Sequence, residues 1–340
     1  MFGLGWLRAL TDARALLEHD DHGGPELGER YDTRGPPGAL PVPRRLPEGA
    51  RDEGLVRTYL AFLLHMQKED GRFRNGLTLD GRFEDEGEAE DPTGRAVLAL
   101  AAAQRLPPPY AGPAREALLR ALPALEGFTS LRGRAYALLG LLALPKEPFL
   151  EAAEALGEGL LRAFREAEPA WPYPGPLTYA NHRPVEALYA YGLAFRRQEA
   201  VALARRALAF LKEHYFTPGE EGLFFDPVGN RFMARGRDKP LFDQQPIEAK
   251  CALLAHLRFG ERVLAEVAFL WFHGRNRLRA PLVDAFGPMD GLTPHGPNQN
   301  RGAEALLAYL LAWQALVQGV FPQVDEGVAL GRVFALGGRP

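Results

Sequence analysis

Five stretches of the chain open in the same way, and this repetition restricts the possible fold more than any other feature. Asp91-Pro-Thr-Gly-Arg-Ala96, Leu131-Arg-Gly-Arg-Ala135, Arg183-Pro-Val-Glu-Ala187, Gln245-Pro-Ile-Glu-Ala249 and Arg301-Gly-Ala-Glu-Ala305 each set a glycine or proline shortly before a charged residue and an alanine. Aligned on the alanine, they recur every 39 to 62 residues. A repeat of that length holds one pair of antiparallel helices, so the pattern predicts an array of helical hairpins.

Six stretches, residues 54–67, 94–103, 133–143, 184–194, 246–256 and 302–313, are apolar on more than one face, as expected of helices covered from both sides. Residues 113–125, 149–166, 198–214 and 261–272 are amphipathic, with charges such as Glu199, Arg205, Arg206 and Lys212 on one stripe. Six inner helices ringed by an outer layer make an all-α fold, an (α/α)6 toroid. Residues 1–50 read as an N-terminal helix and a Gly/Pro-rich arm, 51–321 as the toroid and 322–340 as a tail. The 37 glycines and 29 prolines among 340 residues exceed an ordinary share of about 12%. They fall in the arm, at inner-helix starts and in the long loops. Strand-like runs at 222–233 and 278–286 predict short β-hairpins over one rim.

Parallel inner helices would bring the loops before their N-termini to one face, where helix dipoles favour oxygen-rich or anionic ligands. Those loops hold the functional candidates. In the acidic run 84–91, Glu90 and Asp91 are candidate catalytic carboxylates, with Arg95 placed to orient one of them; a solvated loop with Asp91 as N-cap is the other reading. Glu186, Glu248 and Glu304 hold equivalent places about three residues into their helices, where a Glu either closes a capping box or faces the cavity. Arg95 and Arg134 take that place in two other repeats, so a self-neutralising ring of three acids and two bases is also consistent.

The segment 171–183 offers Trp171, Tyr173 and Tyr179 as flat faces for sugar rings and Asn181, His182 and Arg183 as hydrogen-bonding groups. Core packing is the competing reading for the aromatics. Asp243, Gln244, Gln245 and Glu248 cluster before the fifth inner stretch. Asp290 and the amides Asn298, Gln299 and Asn300 precede the last one, either capping it or contacting vicinal hydroxyls. Asp91 or Glu90 on one side and Asp243 or Asp290 on the other form the candidate catalytic pair. Glu248 and Glu304 stand in reserve.

Charge and motifs narrow the function classes. A net charge of −3 and the absence of a basic cluster speak against nucleic-acid binding. No apolar run approaches the roughly 20 residues of a membrane span, and the N-terminus lacks the apolar core of a signal peptide. With Cys251 as its single cysteine, the chain is expected to be cytoplasmic and to lack disulfides. Arginine supplies 35 of the 40 basic residues, which fits a GC-rich or thermophilic source. The chain carries no P-loop, dinucleotide fingerprint, His-Glu-x-x-His or Gly-x-Ser-x-Gly motif, so neither cofactor nor metal is expected.

The runs Asp70-Gly-Arg-Phe-Arg-Asn75, Glu90-Asp-Pro-Thr-Gly-Arg-Ala96, Leu177-Thr-Tyr-Ala-Asn181, Phe242-Asp-Gln-Gln-Pro-Ile-Glu-Ala249, Trp271-Phe-His-Gly-Arg-Asn276 and Gly296-Pro-Asn-Gln-Asn-Arg-Gly-Ala-Glu304 resemble those of bacterial six-hairpin glycosidase-like proteins. The resemblance spans roughly residues 54–317 and departs at Pro92-Thr93, where that family's pattern has a Ser-His-like pair. It implies the toroid, a saccharide or glycan ligand and a glycosyltransferase as neighbour or partner. Three functions follow as expectations: a glycoside hydrolase using two carboxylates, a saccharide-binding accessory to a glycosyltransferase, and a sugar epimerase, which would want an acid/base histidine pair in the cavity.

Overall fold

The computed structural model describes residues 4–17, 20–21, 24–25, 30–32, 52–84, 90–144 and 146–317. Most of the expected arm, the tail at 322–340 and residues 85–89 of the acidic run lie outside the described residues.

The helices among the described residues are α1 (Leu4–Ala9), α2 (Glu53–Met66), α3 (Glu90–Ala103), α4 (Pro108–Ala121), α5 (Leu131–Leu141), α6 (Phe149–Glu166), α7 (His182–Ala194), α8 (Gln198–Tyr215), α9 (Pro246–Arg258), α10 (Arg262–Leu270) and α11 (Ala303–Val317). They form the (α/α)6 toroid. Helices α3, α5, α7, α9 and α11 pack on one another in sequence as the inner ring, and α4, α6, α8 and α10 lie outside them. The outer helices are built on stripes. In α6, Phe149, Leu150, Ala153, Leu156, Gly157, Leu160, Leu161 and Phe164 are buried, recurring every three or four residues as a one-sided helix requires. Each large apolar side chain so buried contributes about 1.5–3 kcal/mol before chain entropy is charged. The inner helices are covered nearly all round: α9 is buried continuously from Pro246 to His256.

One inner assignment needs correction. Helix α2, expected in the inner ring, packs beside the outer helix α4 and exposes Glu53, Arg57, Ala61 and His65. That i, i+4 spacing is an outer helix's solvent stripe, disguised in the sequence because one of its members is alanine. The inner starts also differ from expectation. Helix α3 begins at Glu90 rather than residue 94, so Gly94 lies inside the helix. A Cβ on Gly94 would sit 2.4 Å from the Gly133 carbonyl oxygen, one on Gly133 would sit 2.9 Å from the Glu90 carbonyl oxygen, and one on Gly140 would sit 2.7 Å from Leu98 Cα. These glycines therefore let α3 and α5 touch backbone to backbone.

Short antiparallel hairpins decorate the loops. Strands β1 (Asp20–Asp21) and β2 (Gly24–Pro25) pair, and β3 (Arg30–Asp32), β4 (Gly76–Thr78) and β5 (Phe83–Glu84) form a three-stranded sheet. β6 (Phe216–Gly219) pairs with β7 (Gly222–Phe225), β8 (Val283–Asp284) with β9 (Gly287–Pro288), and β10 (Gly291–Thr293) with β11 (Gly296–Asn298). The first predicted rim hairpin thus starts at Phe216. Beyond β7 that run keeps only an isolated bridge between Leu177 and Met233.

Two arrangements hold the ring and its rim. Helix α1 closes the circle: Trp6 and Leu10 border a hollow with Gly287 and Leu306, and Thr11 shares a 2.7 Å hydroxyl hydrogen bond with Tyr59 of α2. Asp226, just after β7, is fully buried. Its carboxylate accepts from Arg277 at 2.5 Å, Lys239 at 2.8 Å, Gln244 at 2.8 Å and Thr217 at 3.2 Å, tying strand β6, the 226–245 loop and the loop after α10 together. No described helix is long and apolar enough to cross a membrane.

Candidate functional site

The inner helices point their first turns into one lumen, and its lining follows from helical spacing. Asp91 and Arg95 lie four residues apart on α3, with Nε to Oδ2 at 3.4 Å. Tyr179 donates to the same Asp91 oxygen at 3.1 Å. Arg132 and Tyr136, also four apart, present the facing side of α5. The Arg132 guanidinium lies 4.0 Å over the Tyr179 ring and donates to Thr178 Oγ1 at 2.7 Å. Arg95 and Arg183 flank Tyr136 at 4.6 and 5.6 Å from its ring centre. Deeper in, the buried Glu186 carboxylate takes Arg183 at 2.5 Å and Arg258 at 3.1 Å.

Glu248 is the most perturbed acid of the lumen. It is buried on α9, and the loss of water drives its carboxyl up to about 8 although the Ala180 amide and Arg132 favour the charged form. One carboxyl oxygen accepts from the Ala180 N–H. The other is buried without a protein partner. Ala180 holds a left-handed φ of 51°, a conformation that costs a non-glycine residue about 1–2 kcal/mol and that here accompanies an amide aimed at Glu248. Two residues on, burial with Arg183 and Arg95 nearby lowers the Lys250 ammonium to about 8, against the pull of Glu304.

The sequence-derived candidates divide sharply. Asp91, Arg95, Tyr179, Arg183, Glu248 and Glu304 gather in the lumen, and the buried Tyr173 joins them through its coupling to Arg132 and Glu248. Glu90 does not: its carboxylate accepts the Thr129 and Ser130 amides at 2.9 and 2.5 Å, capping α5. Asp290 accepts the Gly302 amide at 2.6 Å and the Asn300 side chain at 2.9 Å, capping α11. Asp243 is exposed on the rim with φ 60°. Gln244 is buried and spans Asp226 and the Trp271 indole, which donates to it at 2.9 Å. Gln245 sits half-buried at the N-cap of α9. Asn181 is consumed by the Thr178 amide and the Tyr215 hydroxyl, and exposed Asn298 by the Asn300 amide. Trp171 packs edge-on against Phe210 of α8, with ring centres 4.8 Å apart.

His182 packs against the end of outer helix α8. Its ring meets Tyr215 edge-on at 4.8 Å and lies 5.7 Å from His256. His256 bonds Glu261, at the start of outer helix α10, at 2.7 Å and meets Phe216 edge-on. The histidine pair therefore belongs to the seam between layers, where burial and His256 push His182 well below its ordinary value. Sequence reading passed over Arg132, Tyr136, Lys250 and Arg258. Two of them carried a signal: Arg132 is four residues before Tyr136, and Lys250 is the lone lysine inside an apolar helix. Arg134, expected in the ring, instead reaches outward to the carbonyls of Phe128 and Gly159.

No protein-family model matches the chain, and no curated protein matches it. Solved structures do. The chain is similar to cellobiose 2-epimerase from Bacillus thermoamylovorans B4167, with TM-score 0.67 and 8% identity over 91% of this chain and 95% of that one. It is similar to a D-mannose isomerase, with TM-score 0.68 and 9% identity over 93% and 95% of the two chains. A GH76 α-mannanase from Bacteroides thetaiotaomicron follows, with TM-score 0.62 and 11% identity over 98% and 95%. The shared fold is the six-hairpin toroid.

Proposed function

We propose that this chain is a carbohydrate-active enzyme that hydrolyses a glycosidic bond in the lumen, with Glu248 as general acid and Asp91 as its carboxylate partner. The observation that carries the reading is Glu248 itself, a buried carboxyl with one unpartnered oxygen and a value raised to about 8. At neutral pH it holds the proton that a leaving sugar oxygen must receive. Asp91 supplies the complementary group: Arg95 and Tyr179 orient one oxygen, and the other is buried with no protein partner. Water delivered to the anomeric carbon, or direct attack there, completes the displacement.

The fold neighbours support a saccharide as substrate, and the coupling of both Asp91 and Glu248 to Arg132 supports pairing them. The epimerase reading loses support because the histidine pair lies between layers. A saccharide-binding accessory role shares the lumen but does not call for a protonated acid there. Product release from a panel of aryl glycosides and oligosaccharides tests the proposal. Glu248→Gln and Asp91→Asn should each reduce turnover by about 10²–10⁴-fold while saccharide binding persists. Undiminished turnover in both variants would sink the assignment. Saccharide binding without turnover in the parent would favour the accessory role, and pull-down with a glycosyltransferase would then test the partner.

A further inference from the structure

Resting on the carbohydrate reading, we infer that the substrate is acidic: an anionic group of the sugar, carboxylate or phosphate, is seated among Arg95, Arg183, Lys250 and Tyr136. The first ground is an imbalance of hydrogen-bonding capacity. Arg95 Nη2, Arg132 Nε, Arg183 Nε, Tyr136 Oη and Tyr173 Oη are all buried in the lumen without a protein partner, against two such acceptors, Asp91 Oδ1 and Glu248 Oε2. Four of these five donors belong to residues more than nine-tenths buried. Buried donors left without partners cost about 1–3 kcal/mol each, more when charged, so the array fits a ligand richer in acceptors than a plain hydroxylated ring.

The second ground is charge. Arg95, Arg132, Arg183, Arg258 and Lys250 line or floor the lumen, and the acids facing them are Asp91, Glu186 and Glu304. Glu186 is already shared by Arg183 and Arg258. Glu248, raised to about 8, adds no negative charge at neutral pH. Burial holds Lys250 down, and Arg183 and Arg95 add to it against the pull of Glu304, so this ammonium is cut off from water with two cations close by. An anion relieves this repulsion, and the unpartnered nitrogens Arg95 Nη2 and Arg183 Nε can donate to a planar or tetrahedral oxyanion. Neighbouring positions grade from half-buried Asp91, Arg132, Tyr179 and Glu304 to buried Arg95, Tyr136, Arg183 and Lys250. The anionic group is therefore the end that enters deepest.

Calorimetric titration of the full chain tests this with methyl glucuronide, methyl glucoside, glucose 6-phosphate, inorganic phosphate and acetate. At least one acidic sugar should bind tenfold or more tightly than the neutral glucoside, the preference should shrink with added salt, and Lys250→Met should reduce it about tenfold. If that variant fails to fold, Tyr136→Phe, which removes one unpartnered donor of the same seat, should reduce the same preference by a smaller factor. Whether the uronate or the phosphate arm binds tells which anion is accommodated. Equal binding of neutral and acidic sugars overturns the inference and leaves the hydrolase reading standing. Binding of phosphate or acetate but of no sugar upholds the anion site and sinks the carbohydrate reading. No binding of any anion overturns the inference.

Discussion

Glu90 and Glu248 both occupy the first turn of an inner helix, yet their surroundings give them opposite work. Glu90 meets two backbone amides at the head of the next inner helix and is held there as a cap. Glu248 also meets amides, those of Ala180 and Asn181, but burial outweighs them and its proton is retained. Glu90→Ala and Asp290→Ala should each cost about 0.5–2 kcal/mol of stability, read as a lowered melting temperature. Glu248→Gln should instead change the pH profile. Because the folded-state value of Glu248 lies above that of an unfolded glutamate, the folded protein pays nothing for this group below about pH 4.5, and its stability falls as pH rises from there to about 8. Melting temperatures of the Gln variant across that window should lack this decline, and wild-type turnover should fall above about pH 8. The special character of the repeated Glu positions was legible in the sequence. Their partners were not, because a capping box is local while the Ala180 amide reaches Glu248 from 68 residues away.

The glycine seam between α3 and α5 decides how near these elements come. Gly94→Ala would drive a methyl group against the Gly133 carbonyl at 2.4 Å, and such overpacking costs about 1–3 kcal/mol. Gly112, inside outer helix α4, has nothing within 4 Å of where its Cβ would stand, so Gly112→Ala should add about 0.5–1 kcal/mol through helix propensity alone. Chemical denaturation of the two variants side by side reads the difference directly. The helical hairpin repeat, most outer stripes and the rim hairpins could be read from periodicity. Glycine, though, has two uses in helical proteins, punctuation and close approach, and a sequence does not say which applies. A different ambiguity placed α2 in the inner ring, since Ala61 on its solvent stripe looks apolar.

Taken as a whole, the molecule depends on a rim tied to one carboxylate. Burial raises Asp226, but Arg277 and Lys239 outweigh it and keep the group below the usual aspartate range. Its contribution is therefore full above about pH 4 and disappears as the pH drops through the depressed folded value. Asp226→Asn would leave two cations facing each other and should cost about 3 kcal/mol, the low end for a broken buried pair because both cations keep some water. Loss of protection in residues 216–245 by hydrogen exchange would check it. Ring closure by α1 bears on how the chain comes apart. An open helical array unravels from its ends, since each terminal repeat has a neighbour on one side only. With Trp6 and Leu10 beside Leu306 and Thr11 bonded to Tyr59, neither end of the described array is terminal in that sense. The circle should melt in a single cooperative step, with calorimetric and van't Hoff enthalpies equal. Cutting away residues 1–17 would turn it into a solenoid with two loose ends, fraying first at α2 and α11.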